Sequence, residues 1–92
     1  MANIFGSRYA RFDTQAGANL SNFVRAKVKS IEVSNPTAGA LTVTITVGGN
    51  TFISTSIPAN GVIVYDYGEG QYMENFVVSG LPAGLIVTVA YA

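Results

Sequence analysis

Leu41-Thr42-Val43-Thr44-Ile45-Thr46-Val47, then Gly48-Gly49-Asn50, then Thr51-Phe52-Ile53-Ser54-Thr55-Ser56-Ile57, then Pro58-Ala59-Asn60-Gly61, then Val62-Ile63-Val64-Tyr65-Asp66-Tyr67: this run decides the fold class. Its first segment alternates strictly, with Leu41, Val43, Ile45 and Val47 on one face and Thr42, Thr44 and Thr46 on the other, the period of a half-buried strand. Gly48-Gly49-Asn50 tolerates positive φ and can reverse the chain into a hairpin. Pro58 and Gly61 bracket a second turn. The run therefore predicts a three-stranded antiparallel meander, and it carries no catalytic chemistry.

Outward from this run, residues 24–33 alternate in two phases. Val24, Ala26 and Val28 share one parity, and Ile31 and Val33 the other, so a bulge near Lys29-Ser30 is needed to keep both halves on one core. Arg25, Lys27 and Lys29 then form a basic stripe with roughly 6.6 Å between side chains. Residues 35–40 have turn composition, and Gly68-Glu69-Gly70 reads as a loop. Phe76-Val77-Val78 is strand-like, and residues 80–84 turn the chain once more. The last segment, Leu85 to Tyr91, is nearly apolar on both faces, which places it in the centre of a sheet or in an interface. Residues 1–23 keep neither period; Ile4, Phe5, Tyr9, Phe12, Leu20 and Phe23 are isolated apolar anchors. The expected organisation is an N-terminal extended arm over 1–23 and a domain over 24–92. The expected fold is all-β, a single antiparallel β-sandwich or jelly roll of about six to eight strands.

Composition narrows the function. The 92 residues contain neither Cys nor His, which excludes disulfides, thiolate catalysis and the usual zinc and haem ligand sets. Only 11% of residues are charged, against roughly 25% in ordinary soluble domains. The five basic residues lie in the first 29 positions with Asp13 alone among acids, while Glu32, Asp66, Glu69 and Glu74 follow, so a formal +4 precedes a formal −4. No charge occurs between Val33 and Tyr65. Isolated soluble domains blunt their sheet edges and outer faces with Lys and Glu. A chain that omits them is expected to work covered by partners, as a homo-oligomer within a larger assembly. The neutral balance argues against nucleic acid, despite the basic stripe. No apolar run approaches the ~18 residues of a membrane span, and the first nine residues lack the apolar core of a secretory signal.

Three constellations could carry chemistry. Tyr65, Asp66, Tyr67, Glu69 and Tyr72 bring rings and carboxylates together, the composition of a glycan-binding rim. Asp66 and Glu69 could meet calcium, but the spacing is not that of an EF-type loop. Thr42, Thr44 and Thr46 form one rank of hydroxyls, as the polar face of any strand would. A serine nucleophile would have no His as its base. No catalytic residue, metal site or cofactor is implied. The candidate protein-interface residues are the aromatic and basic anchors Phe5, Arg8, Tyr9, Arg11 and Phe12, together with Tyr67 and Tyr72.

The combination of an arm, a low-charge Thr/Val/Gly-rich β domain, Asn35-Pro36 and Pro58-Ala59-Asn60-Gly61 turns, and no Cys or His resembles the small accessory proteins of tailed-bacteriophage virions, above all capsid decoration (cement) proteins. The resemblance covers the whole chain, in organisation only. It implies a non-enzymatic virion protein assembled in the host cytoplasm, oligomeric and most often trimeric, that clamps neighbouring capsid subunits. Ser79 to Val89 is also similar to a segment of immunoglobulin-like and fibronectin-like sandwiches, which often carry a tyrosine where this chain has Leu85 and Ile86. A carbohydrate-binding sandwich that uses the Tyr/acid rim is the alternative expectation.

Overall fold

The computed structural model describes residues 3–20 and 25–92, and the side chains of all of these except 25 and 26. The described chain is all-β. Its strands are β1 (Ile4–Phe5), β2 (Tyr9–Phe12), β3 (Arg25–Ser34), β4 (Leu41–Val47), β5 (Asn50–Ile57), β6 (Val62–Glu74), β7 (Val77–Gly80) and β8 (Ile86–Tyr91). They form two antiparallel sheets, one in the order β1-β2-β8-β3-β6 and one in the order β5-β4-β7. A single apolar cluster takes Phe12, Ile31, Val33, Val87 and Val89 from the larger sheet and Val43, Ile45, Ile57 and Val78 from the smaller.

The hairpin expected at Gly48-Gly49 is present. Val47 pairs with Asn50 across a two-residue loop in which both glycines have positive φ, 60° and 83°, the combination that matches the twist of paired strands. The meander, however, is corrected: β6 does not pair with β5 but crosses to the edge of the larger sheet beside β3. The crossing is built by the Pro58–Gly61 corner and by one buried amide. Asn60 takes φ 57°, and the Gly61 N–H donates to the Pro58 carbonyl at 2.9 Å. Asn35, fully buried at the end of β3, donates from Nδ2 to the carbonyls of Gly39, Ile57 and Pro58 at 2.9, 3.0 and 3.3 Å. Its Oδ1 accepts from the Thr37 N–H and hydroxyl at 3.1 and 2.6 Å. One side chain thus ties the 35–40 turn to the corner where the chain changes sheets, satisfying backbone groups that would otherwise be buried without partners.

The bulge expected near Lys29-Ser30 is present as well. The β3 register shifts between Val28 and Ser30 against both β6 and β8, which lets Val28, Ile31 and Val33 all point inward. On the β6 side the mismatch is larger, because Val28 pairs with Gln71 and Ser30 with Asp66. Gly68 and Gly70, at φ 63° and 122°, absorb the extra residues, so the segment expected to be a loop lies within β6. β8 occupies the centre of the larger sheet, between β2 and β3, as its two apolar faces require.

Of the segment expected to be an extended arm, the described residues 3–20 pack onto the larger sheet and its core. β2 pairs with β8 over Tyr9–Phe12, and Ala10, Phe12, Ala18 and Leu20 are buried. Side chains stitch the intervening loop in place. Asn3 accepts from the N–H groups of Asp13 and Thr14 and donates to the carbonyls of Thr14 and Ala16. Gln15 donates to the Val78 carbonyl at 2.7 Å and accepts from the Leu81 N–H at 2.6 Å, joining that loop to β7. The Tyr91 hydroxyl donates to the Gly6 carbonyl at 3.1 Å. The aperiodic spacing that suggested an arm reflects a two-residue strand, a four-residue strand and a loop in quick succession, each too short to show a period. Of the expected anchors, Phe23 lies outside the described residues.

Candidate functional site

The register aligns the outer face of the larger sheet in cross-strand rows. Ile4, Arg11, Thr88, Glu32 and Val64 form one row through all five strands. Tyr9, Ala90, Ser30 and Asp66 form the next. The centre of this face is therefore small or polar, and its apolar side chains lie at its margins.

Those margins hold most of the exposed large apolar side chains of the described chain. Ile4 and Tyr9 stand on the outer face at the β1–β2 edge, with Phe5 on the inner side beside Ala10, and Val62, Val64 and Tyr72 stand on β6. Phe52 stands apart from them on β5 of the smaller sheet: a register shift between Ile45 and Thr46 leaves it without a partner on β4, and its ring meets Tyr67, on the inner face of β6, at 6.2 Å. Exposure in these seven runs from 41% at Phe52 to 59% at Tyr72, so each keeps a large fraction of its surface in water. β1 and β6 are the two open edges of the five-stranded order.

The expected interface residues divide. Phe5, Arg8 and Tyr9 are exposed at the first edge, and Tyr72 at the second. Phe5 rests edge-on against Phe12 at 5.7 Å between centroids. Arg11 is half-exposed and pairs with the nearly buried Asp13 carboxylate at 3.3 Å. Phe12 is corrected from interface to core, because its strand parity turns it inward with Ala10. Tyr67 is half-buried against the core cluster. The expected interface did not include Phe52, Val62 and Val64, and took Ile4 only as an apolar anchor of residues 1–23. The Val62-Ile63-Val64 run is apolar on both parities, and only pairing with β3 shows that Ile63 faces inward and the two valines outward.

The rings of the expected glycan rim do not assemble into one platform. Tyr65 and Tyr67 pack on the inner face against the core, whereas Asp66 and Tyr72 lie on the outer face. Asp66 accepts from the Gly68 N–H at 2.8 Å and so braces its own strand. Glu69 is exposed on the glycine segment. The described residues enclose no pocket and hold no cluster of three or more acidic side chains fit for a metal ion. The basic stripe is also broken up. The Lys27 ammonium lies over the Tyr72 ring at 5.8 Å, Lys29 is left over by the bulge and exposed, and the side chain of Arg25 is outside the described residues. Among the described residues no helix is long and apolar enough to cross a membrane.

Burial raises the Tyr67 hydroxyl above its usual 10.0, and the neighbouring Tyr65 adds to the shift. The fold therefore favours the neutral phenol, while an unfolded chain ionises near pH 10. The contribution of Tyr67 to stability is complete below that pH and is lost as pH rises through the folded value. Tyr67→Phe is expected to flatten this part of the alkaline decline in melting temperature while leaving the neutral value little changed. An alkaline profile identical to the parent's would refute the assignment.

Comparison of the chain with protein families, with curated proteins and with solved structures finds no match.

Proposed function

We propose that this protein is a non-enzymatic structural component of a larger assembly: a two-sheet sandwich that oligomerises and clamps neighbouring subunits, as capsid decoration proteins of tailed-phage virions do. The observation that carries the reading is the placement of exposed apolar side chains at the two open edges of the five-stranded sheet. Charges and the β6 bulge blunt main-chain pairing at these edges but leave their apolar side chains uncovered, as on a surface that meets a partner. On β6, Val62 and Val64 face outward within a span that carries no charge from Val33 to Tyr65. In this reading the protein is a homo-oligomer, with a trimer favoured by the resemblance to decoration proteins. Its further partner is a capsid or other virion protein, and its location is the virion. Affinity comes from burying the aromatic and aliphatic edges, with polar rows between them setting orientation.

Sedimentation equilibrium at micromolar concentration tests the first step. The expected result is a species at a multiple of 9.6 kDa, with three copies as the leading order. A single 9.6 kDa species across the concentration range would overturn the oligomeric reading.

A further inference from the structure

We infer that the two open edges of the five-stranded sheet are the two halves of one head-to-tail contact, in which the β1–β2 edge of one copy docks on the β6 edge of a second copy. The inference rests on the oligomeric reading above and adds which surfaces meet and with what symmetry. Two independent features of the edges carry it.

The first is apolar matching. Each edge exposes apolar side chains on the same outer face, Ile4 and Tyr9 on one side and Val62 and Val64 on the other. Because β1 and β6 end the same sheet on opposite sides, neither cluster can cover the other within one chain.

The second is charge. The β1–β2 edge carries Arg8, exposed, and Arg11, half-exposed; its acid, Asp13, is nearly buried and bridged to Arg11. The β6 edge carries Asp66 and Glu69, both exposed. The lysines nearest to it are on β3: Lys27, drawn over the Tyr72 ring, and Lys29, exposed in the bulge. Two β6 edges brought together would place Asp66 and Glu69 of one copy near the same carboxylates of the other. Two β1–β2 edges would do the same with arginines. Only the unlike pairing sets arginines against carboxylates while burying both apolar clusters.

Geometry then dictates the assembly. A contact between unlike edges leaves one edge of each kind open at the ends of every pair, so copies continue to add, into a ring where the rotation closes and into an open filament where it does not. β1 contributes only two residues, so side chains rather than a long main-chain ladder supply most of the contact.

Two edge-blocking variants test this. Ile4→Glu sets a carboxylate against the acidic edge, and Val64→Lys sets an ammonium against the basic one. Both positions point outward and are about half-exposed, at 46% and 58%, so the folded monomer is expected to tolerate each change. Analytical ultracentrifugation should find each variant alone at 9.6 kDa, with the melting profile of a folded chain. Mixed, they should form a complex containing both chains in equal number, since each retains the edge that the other lacks. If Ile4→Glu fails to fold, Arg8→Glu blocks the same edge from an exposed position. An oligomer that survives either blocked edge, or a pair of monomeric variants that do not combine, would overturn the head-to-tail contact while leaving the oligomeric reading standing. A parent chain found only at 9.6 kDa would overturn both.

Discussion

Asn35→Ala is expected to lower stability by about 3–5 kcal/mol, the largest loss from any single side chain that bears no apolar bulk. The amide faces three carbonyls with its nitrogen and an N–H and a hydroxyl with its oxygen, so only one orientation satisfies the network. A net hydrogen bond contributes about 0.5–1.5 kcal/mol, and a buried group left unsatisfied costs about 1–3 kcal/mol. Truncation leaves the Ile57 and Pro58 carbonyls without this donor at the corner where β5 leaves one sheet and β6 enters the other. For a chain of 92 residues, total stability is about 5–14 kcal/mol, so the variant should lose a large part of it. Denaturant unfolding measures this directly. Asn35→Asp makes the test specific. It keeps the acceptor but turns a carboxylate oxygen toward the carbonyls, so it should be at least as damaging at neutral pH. The fold would raise the carboxyl's pKa above the reference of about 3.9. The loss should therefore diminish as pH falls through that raised value and the acid becomes a donor. A variant within about 1 kcal/mol of the parent would show that the corner holds without the amide.

Removing residues 2–12 is expected to abolish cooperative folding rather than to free a core from its arm. The deletion takes away β2, the neighbour of the central strand β8, along with Phe12 and Ala10 from the core. Phe12 is fully buried, and truncation of such a ring to alanine by itself costs about 3–5 kcal/mol. The loss also removes Asn3, which holds the 13–16 turn, and the Gly6 carbonyl that receives the Tyr91 hydroxyl. Together these terms reach the whole stability expected for a domain of this size. The shortened chain should bind a hydrophobic dye and show no sharp melting transition. A β-type circular dichroism spectrum with an unchanged melting temperature would restore the arm. Phe12→Ala supplies the graded version, with a folded but less stable protein whose midpoint falls in denaturant.

The two deletions of contact bear differently on assembly. Asn35 and Phe12 act inside one chain, so their loss should lower stability whether or not copies associate. Ile4 and Val64 project outward, so their replacement should change mass with little change in the melting of the monomer. This separation allows fold and interface to be assessed with the same protein preparations.

Local chemistry in the sequence was enough for several elements. Alternation from Leu41 to Val47 determines a strand whichever sheet it joins, because its period of two exposes one face and hides the other. Gly48-Gly49 determines a tight reversal, since two successive residues of positive φ are cheap only for glycine and a few others. The parity change between Val28 and Ile31 determines the bulge at Lys29, and the double apolar face of β8 determines its central place. These are properties of neighbours in the chain, and the sequence lists neighbours. Which sheet receives β6 was decided elsewhere. The Pro58–Gly61 corner is as compatible with a hairpin as with a crossing, and the choice depends on Asn35, whose side chain bonds Ile57 and Pro58 from 22 and 23 residues away. The place of residues 3–12 was likewise decided by pairing with β8, from the far end of the chain. The same long-range pairing sorts Val62 from Ile63 and Tyr67 from Tyr72. A run that is apolar on both parities does not say which of its faces will be covered, and only the strand beside it supplies the answer.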